Sequence, residues 1–233
     1  MNGQCFNCAA YLPHLNTALE GAHMLCPDRV VAFLANVRVE TDGFANMVDP
    51  STNRAGSLHL ASQSFRRACA QIPELALAFA AEFSETCNTV STEPCQCGSD
   101  AAAADVVARP EFTFEVGVWW FSTGASQMRG APCADLRDDA DEGIGLRESL
   151  ISSAFPGTGF YKTASCTYGF STDPTLDLRV QYYLHAMQIF FPSYAPPPSS
   201  HDVCTGLNVI ELSTSDIQAM MGGEVSDVAA HTH

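Results

Sequence analysis

The sequence predicts a mainly α-helical fold that is stapled by disulfides. Apolar residues recur at helical spacing over 27–41 and over 176–191, which is the pattern of helices with a buried face. The chain also holds 10 cysteines in 233 residues, and an even, scattered set indicates up to about five disulfides in an oxidising compartment. Hydrophobic residues make up 46% of the chain, enough for the core of one large domain or two small lobes.

The charge balance excludes two broad classes of function. The chain has 11 basic and 26 acidic residues, for a formal net charge of −15. Nucleic acids and anionic membranes are bound through clustered Lys and Arg, so we expect neither as a partner. No apolar run approaches the roughly 18–20 residues of a membrane span.

The cysteines favour a secreted or extracellular protein. The first residues show neither the basic nor the apolar region of a signal peptide, so we expect the processed form. A zinc site is the alternative, with Cys5-x-x-Cys8 and Cys95-x-Cys97 as ligand pairs. No histidine stands at finger-like spacing from either pair, and we therefore expect disulfides and no metal.

The first strong element is a helix over 27–41. Pro27 suits a first helical turn, and the apolar pattern stops at Asp42. Two further helices, rich in Ala, Leu and Phe, are expected over 62–70 and 73–83.

The second half of the chain is less regular. Residues 85–104 have a loop-like composition between cysteines and predict a stapled surface loop. The run 112–121 fits either a strand or a buried helix, because periodicity does not separate the two there. The acidic run 138–142 is expected in a solvated loop, with weak calcium binding as the alternative. An amphipathic helix is predicted over 176–191, followed by a Pro-rich connector and C-terminal appendage over 193–233.

Two carboxylates follow one another at the end of the first helix. Glu40 stands in its last turn, and Asp49 comes nine residues later. A carboxylic acid beside apolar surface can hold a proton, while a second carboxylate stays ionised and holds a water. Inverting glycoside hydrolysis uses such a pair, with the carboxyl groups about 6.5–9.5 Å apart. The alternative is a helix-end Glu and a loop Asp that share no function.

The run PDRVVAFLANVRVETDGFANMVD surrounds these two residues. It fits the pattern R-x-x-A-F-[FL]-A-x-x-x-x-E-[TS]-x-G, and the matching residues are Arg29, Ala32, Phe33, Leu34, Ala35, Glu40, Thr41 and Gly43. The run resembles the catalytic helix of glycoside hydrolase family 19, the chitinases of lysozyme-like fold. The resemblance implies that Glu40 is the general acid and that Asp49, where the family usually has Glu, is the second catalytic carboxylate.

Four further stretches agree with the same family in the same order. They are RAGSLHLASQSF, RPEFTFEVGVWWFSTG, GAPCADL and GFYKTASCTYGFSTDPTLDLRVQYYLHAM, and the resemblance covers about 15–191. It implies a two-lobed lysozyme-like domain over 1–192, with small β elements at the cleft. It also implies inverting hydrolysis of a β-1,4-linked N-acetylglucosamine polymer, chitin first and peptidoglycan or chitosan second, without a cofactor.

The resemblance further implies a set of substrate-binding residues. His59, Ser62, Gln63 and Tyr168 stand in stretches that line the family's cleft, and Arg179 matches a late-helix Arg that lies near the general acid. The alternatives are a hydrogen-bonded cleft-wall histidine at His59 and an ordinary surface cation at Arg179.

The chain also departs from the family. Ala61 replaces a Ser that helps hold the attacking water, Phe65 replaces an Asn, and residues 166–169 lose the Asn of the family's INGG motif. These departures leave a second interpretation open, a non-catalytic relative that binds polysaccharide or has a structural role outside the cell. Retention of both carboxylates favours the enzyme. Trp119 and Trp120 are expected in the core rather than against sugar rings.

Overall fold

The computed structural model describes residues 8–83, 95, 98–146, 157–168, 174–192 and 212–222. Helices dominate these ranges, which confirms a mainly α-helical fold. They are α1 (Cys8–Gly21), α2 (Pro27–Thr41), α3 (Ser62–Cys69), α4 (Pro73–Phe83), α5 (Asp100–Val107), α6 (Pro110–Trp119), α7 (Ala125–Arg129), α8 (Leu136–Asp141), α9 (Gly159–Tyr168), α10 (Leu176–Phe190) and α11 (Thr214–Gly222). None of the helices in these ranges is both long and apolar enough to cross a membrane.

Helix α2 lies in the middle of the core and has the predicted bounds. Pro27 occupies its first position, where no amide donor is needed. Asp42 ends it in the left-handed region, with φ of 48°. Phe33, Leu34 and Val37 are fully buried, and burial of each such side chain is worth about 1.5–3 kcal/mol. The helix packs against α10, α8 and α9, so it is surrounded by protein along most of its length.

Helix α10 is the main partner of α2, and it confirms the helix predicted over 176–191. Tyr183 donates a hydrogen bond from its hydroxyl to Asp28 Oδ1 near the beginning of α2, at 2.7 Å. Its ring stacks on Phe160 of α9, with ring centroids 4.6 Å apart. One turn earlier on α10, Arg179 bonds to the other end of α2. The two helices are therefore antiparallel.

The apolar run 112–121 is a buried helix rather than a strand. It forms most of α6 and continues into a π-helical turn at Trp120–Gly124 before α7. Gly117 leaves room on α6 for the ring of Phe33 from α2 and for Ser57, since a Cβ atom there would meet Ser57 Oγ and lie 3.0 Å from the ring of Phe33. Only a residue without a side chain fits this contact.

A small antiparallel hairpin carries the chain from α2 towards α3. Its strands are β1 (Val48–Asp49) and β2 (Arg54–Ala55), with Val48 opposite Ala55 and Asp49 opposite Arg54. An isolated bridge joins Ala55 to Leu60. These are the small β elements that the resemblance implies.

Disulfides tie the described helices together. Cys69 at the end of α3 bonds to Cys95, and Cys133 bonds to Cys166 in α9, with sequence separations of 26 and 33 residues. Cross-links that close loops of this length are worth about 3–4 kcal/mol in the chain-entropy account.

The disulfide prediction is confirmed for every cysteine that the structure describes. Cys8 and Cys26 are disulfide-bonded as well. Because Cys8 and Cys95 are in disulfides, neither is available as a zinc thiolate. Their neighbours Cys5 and Cys97 lie outside the described residues.

The loop prediction for residues 85–104 is wrong at its C-terminal end. Residues 100–104 belong to α5, because Ser99 caps the helix by accepting a hydrogen bond from the amide of Ala102 at 3.2 Å. The alanines that follow are strong helix formers. The rest of the predicted loop, apart from residue 95 and residues 98–99, lies outside the described residues.

The acidic run 138–142 is not a solvated loop. Most of it forms α8, which Asp135 caps by accepting a hydrogen bond from the amide of Arg137. Arg29 of α2 pairs with Asp141 through two hydrogen bonds of 2.8 and 2.6 Å. Within the described ranges no group of three or more His, Cys, Asp or Glu residues is placed to hold a metal. Pairing with α2 therefore orders this acidic segment.

The C-terminal appendage contributes to the same core. Helix α11 packs against α1 and α10, and its Ile217, Met220 and Met221 are buried. Asn16 of α1 donates a side-chain hydrogen bond to the carbonyl of Leu212 at 3.2 Å. The Pro-rich connector at 193–211 lies outside the described residues.

The packing of Phe33 and Ser57 against Gly117 predicts that a side chain at this position lowers the stability of the fold. Gly117→Ala places a Cβ atom against Ser57 and Phe33, and we expect the free energy of unfolding to fall by about 1–3 kcal/mol. Gly21→Ala is the matched control, because no described atom lies within 4 Å of the added carbon. Urea unfolding of both variants measures the difference. Equal stabilities would show that Phe33 and Ser57 do not pack tightly against Gly117.

The buried carboxyl group of Asp139 in α8 predicts that the free energy of unfolding depends on pH. Burial raises the pKa of Asp139 to about 6, against 3.8 for an ordinary Asp. The native state therefore binds an extra proton between these values, and stability falls as the pH rises from about 4 to 6. Asp139→Asn removes this loss, and after discounting for solvent screening we expect about 1 kcal/mol of stabilisation at pH 7. Urea midpoints at pH 4 and pH 7 test this, with the exposed Asp105→Asn as the control.

Candidate active site

One cavity lies among the end of α2, the hairpin, α3, the π-helical turn, α7 and α9. Its volume is about 170 Å³. Six of its polar lining residues bear on function, and they are Glu40, Arg54, His59, Gln63, Arg129 and Tyr168. The structure thus brings together four residues of the predicted site: Glu40, His59, Gln63 and Tyr168.

Glu40 is held in the cavity wall by a buried arginine. Its side chain is 14% exposed, and Arg179 Nη2 donates to Glu40 Oε1 at 2.5 Å. Arg179 Nη1 donates to Asn36 Oδ1 at 2.9 Å, and Nε donates to Thr175 Oγ1 at 3.1 Å. Asn36 lies one turn before Glu40 on α2, so both acceptors stand on the same face of the helix. The charge partner that the resemblance implies is present, and Arg179 is not a surface cation.

Tyr168 stands on the other side of the same guanidinium. The centre of the Arg179 guanidinium lies 5.9 Å from the centroid of the Tyr168 ring, within the range of cation–π attraction. Tyr168 is the last residue of α9 and also lines the cavity. Arg179 therefore lies behind the wall and orients two residues that face the cavity.

Asp49 lies outside this set of lining residues. Its carboxylate accepts hydrogen bonds from the Ser51 amide at 2.9 Å, the Ser51 hydroxyl at 2.6 Å and the Thr52 hydroxyl at 2.6 Å. These bonds, with the Ser51 hydroxyl the largest cause, lower the pKa of Asp49 to about 2. Asp49 nevertheless pairs across the hairpin with Arg54, and directly opposed residues share one face of a sheet. Its carboxylate is thus on the same face of the hairpin as Arg54 but is bonded to its own turn.

His59 and Ser62 are placed differently. His59 lines the cavity, and its Nε2 lies 2.7 Å from the carbonyl oxygen of Asn46. Its φ of 43° is unusual for a residue with a side chain, and the contact with Asn46 holds the ring at the turn after β2. His59 is therefore a hydrogen-bonded wall residue that still faces the cavity. Ser62 begins α3 and is not among the residues that line the cavity.

Arg54 and Arg129 line the cavity but were not predicted as site residues from the sequence. Arg129 is held by a hydrogen bond from its Nε to the carbonyl of Cys166 at 3.0 Å, and its guanidinium lies 5.5 Å from the ring centroid of Trp120. Burial, and then the charge of Arg54, lower the pKa of Arg129. Arg54 begins the stretch RAGSLHLASQSF, but neither this stretch nor the neighbours of Arg129 indicate that two separate segments bring these arginines to one cavity.

Both tryptophans are buried, as expected. Trp119 is 7% exposed and donates to Gln71 at 3.0 Å. Trp120 is 1% exposed and forms part of the cavity wall, and its indole N–H has no acceptor among the described residues.

Comparison with protein families, with curated proteins and with solved structures finds no match. The resemblance to glycoside hydrolase family 19 therefore rests on the sequence motifs.

The hydrogen bonds from Ser51 and Thr52 account for the low pKa of Asp49, and this can be tested. Thr52→Ala removes one of them, and we expect the pKa of Asp49 to rise from about 2 towards the ordinary 3.8. Carbon-13 NMR titration of the carboxyl group measures this shift. Because the native pKa is lowered, the stability that Asp49 contributes is present above about pH 4 and is lost as the pH falls towards 2.

Thr17→Ala is the matched control for this titration. It removes an exposed threonine hydroxyl that bonds to the carbonyl of Pro13, away from the hairpin. A titration of Asp49 that is unchanged by Thr52→Ala would contradict the assignment of these bonds.

Proposed function

We propose that the protein is a secreted glycoside hydrolase that cleaves a β-1,4-linked N-acetylglucosamine polymer, with Glu40 as the general acid. The observation that carries this proposal is the position of Glu40. It is the one acidic side chain among the described residues that line the cavity, and Arg179 holds it from a buried position. Around it the wall offers Gln63, His59 and Tyr168, which are side chains that bind sugar hydroxyls and rings.

The two oxygens of Glu40 would have separate tasks. Oε1 accepts the hydrogen bond from Arg179, while Oε2 has no hydrogen bond to a described residue. In the proposed reaction Oε2 delivers a proton to the glycosidic oxygen as the bond to the anomeric carbon breaks. Water attacks the same carbon from the opposite face and gives its proton to a base, so the configuration inverts.

Asp49 is the proposed base, although its surroundings weaken it. Its hydrogen bonds keep the pKa at about 2, and a carboxylate of this acidity is a poor acceptor for a proton from water. Ala61 lines the cavity without a hydroxyl to orient the water. Misplacement of a reacting group by about 1 Å costs roughly 10²-fold in rate. We therefore expect the enzyme to hydrolyse its substrate slowly.

A non-catalytic polysaccharide-binding protein is the second candidate. It is favoured by the same observation at Asp49, since all the hydrogen bonds of this carboxylate serve its own turn. A relative of this kind would keep Glu40 and Arg179 because the buried arginine needs its counter-charge, whether or not the acid works.

Glu40→Gln separates the two candidates. The amide oxygen still accepts the bond from Arg179, but the side chain no longer delivers a proton. We expect the release of reducing ends from chitohexaose to fall by about 10²–10⁴-fold, with binding retained. Glu20→Gln, an exposed substitution on α1, is the control, and circular dichroism checks that both variants fold.

Two results would count against the enzyme. Activity of Glu40→Gln within a few-fold of wild type would show that Glu40 is not the acid. Binding of chitohexaose by the wild type without any release of reducing ends would support the binding protein instead.

A further inference from the structure

Most arginines among the described residues form ion pairs, and two of the exceptions line the cavity. Six of them form ion pairs with carboxylates, and they are Arg29, Arg38, Arg66, Arg109, Arg137 and Arg179. Among the described residues Arg54, Arg67 and Arg129 have no such pair, in a chain with 26 acidic residues and 11 basic ones. Two of these three, Arg54 and Arg129, line the Glu40 cavity.

The two arginines line the cavity, and Arg129 is also anchored by its surroundings. Arg129 is anchored through Nε to the carbonyl of Cys166, a residue that is itself cross-linked to Cys133. Its remaining guanidinium nitrogens, Nη1 and Nη2, have no hydrogen bond to a described residue. Arg54 stands on β2 opposite Asp49, but the oxygens of that carboxylate bond to the turn instead. Neither guanidinium therefore forms an ion pair with a carboxylate of the described residues.

The cavity has a surplus of positive charge as a result. Arg179 already balances Glu40 from behind the wall. Even if the ionised Asp49 across the hairpin is counted against Arg54, one positive charge of the pair Arg54 and Arg129 remains. Two like charges around one partly buried cavity repel each other, and Arg54 does lower the pKa of Arg129. A ligand anion between them would remove this repulsion and accept the free guanidinium donors.

We propose that Arg54 and Arg129 form an anion subsite in the Glu40 cavity, and that the glycan bound there carries a carboxylate. The saccharide part of this inference rests on the proposed function, whereas the anion subsite rests on the arginines alone. A carboxylated glycan fits the surplus positive charge. Neutral chitin leaves the arginines unsatisfied, and the amines of chitosan are repelled by them. A nucleic acid is disfavoured because the chain carries a net charge of −15.

Binding of matched tetrasaccharides tests the subsite. Chitotetraose is the neutral probe. A tetrasaccharide of alternating N-acetylglucosamine and N-acetylmuramic acid carries its carboxylate on a lactyl group, and a hyaluronan tetrasaccharide carries it on the sugar ring. With calorimetry at low salt we expect at least one carboxylated probe to bind about tenfold tighter than chitotetraose. The preference should shrink as salt is added. Which carboxylated probe binds identifies the source of the anion.

Arg54→Gln supplies the site-specific arm. Arg54 is exposed and forms no ion pair with a described residue, so its loss should leave the fold intact. We expect the affinity for the carboxylated probe to fall about tenfold and the affinity for chitotetraose to stay the same. Arg67→Gln is the matched control, because Arg67 also has no ion pair among the described residues but does not line the cavity.

The outcomes distinguish this inference from the proposed function. Preferential binding of a carboxylated probe without hydrolysis of any probe supports the subsite and contradicts the hydrolase. Hydrolysis of chitotetraose, with no preference for charged probes, supports the hydrolase and overturns the subsite. Equal loss of affinity for charged and neutral probes in Arg54→Gln also overturns it.

Discussion

The ion pair between Arg179 and Glu40 is the constraint on which the rest of this structure depends. A guanidinium that is 1% exposed needs its counter-charge and its hydrogen-bond acceptors. Asn36 and Glu40 supply them from α2, while Thr175 supplies one from just before α10. Removing one partner from such a group costs about 3–5 kcal/mol. The contact therefore fixes the position of α10 against the central helix and the orientation of the cavity wall.

The two carboxylates of the candidate site are held by different kinds of structure. Glu40 is fixed by contacts between helices that are distant in sequence, so its geometry depends on the whole core. Asp49 is fixed by residues two and three positions away in the same turn. Local hydrogen bonds of this kind form independently of the core. The acid and the proposed base are thus positioned separately, and the shape of the hairpin decides whether they meet on one substrate.

Sequence analysis predicted the elements whose signal is local. The helices at 27–41 and 73–83 have their predicted bounds because apolar spacing and Pro at the first turn define them without reference to other segments. Helix α5 was missed because its alanines follow a loop-like segment. Within the site, the motif around Glu40 and the link to Arg179 came from the resemblance. The meeting of Arg54 and Arg129 could not be predicted from local sequence, since only packing of distant segments brings them together.

The π-helical turn at Trp120–Gly124 joins the buried helix α6 to α7, and it determines the direction in which the side chains of α7 point. Such a turn holds one residue more than an α-helical turn, and each residue advances an α-helix by about 100°. The extra residue therefore sets which side of α7 faces inward, and Met128 and Arg129 both line the cavity beyond it. Deleting one residue from this turn would restore regular α-helix and rotate those two side chains away by about a quarter turn. The number of residues in this one turn, rather than their chemistry, therefore keeps Arg129 on the side of α7 that faces the cavity and Glu40.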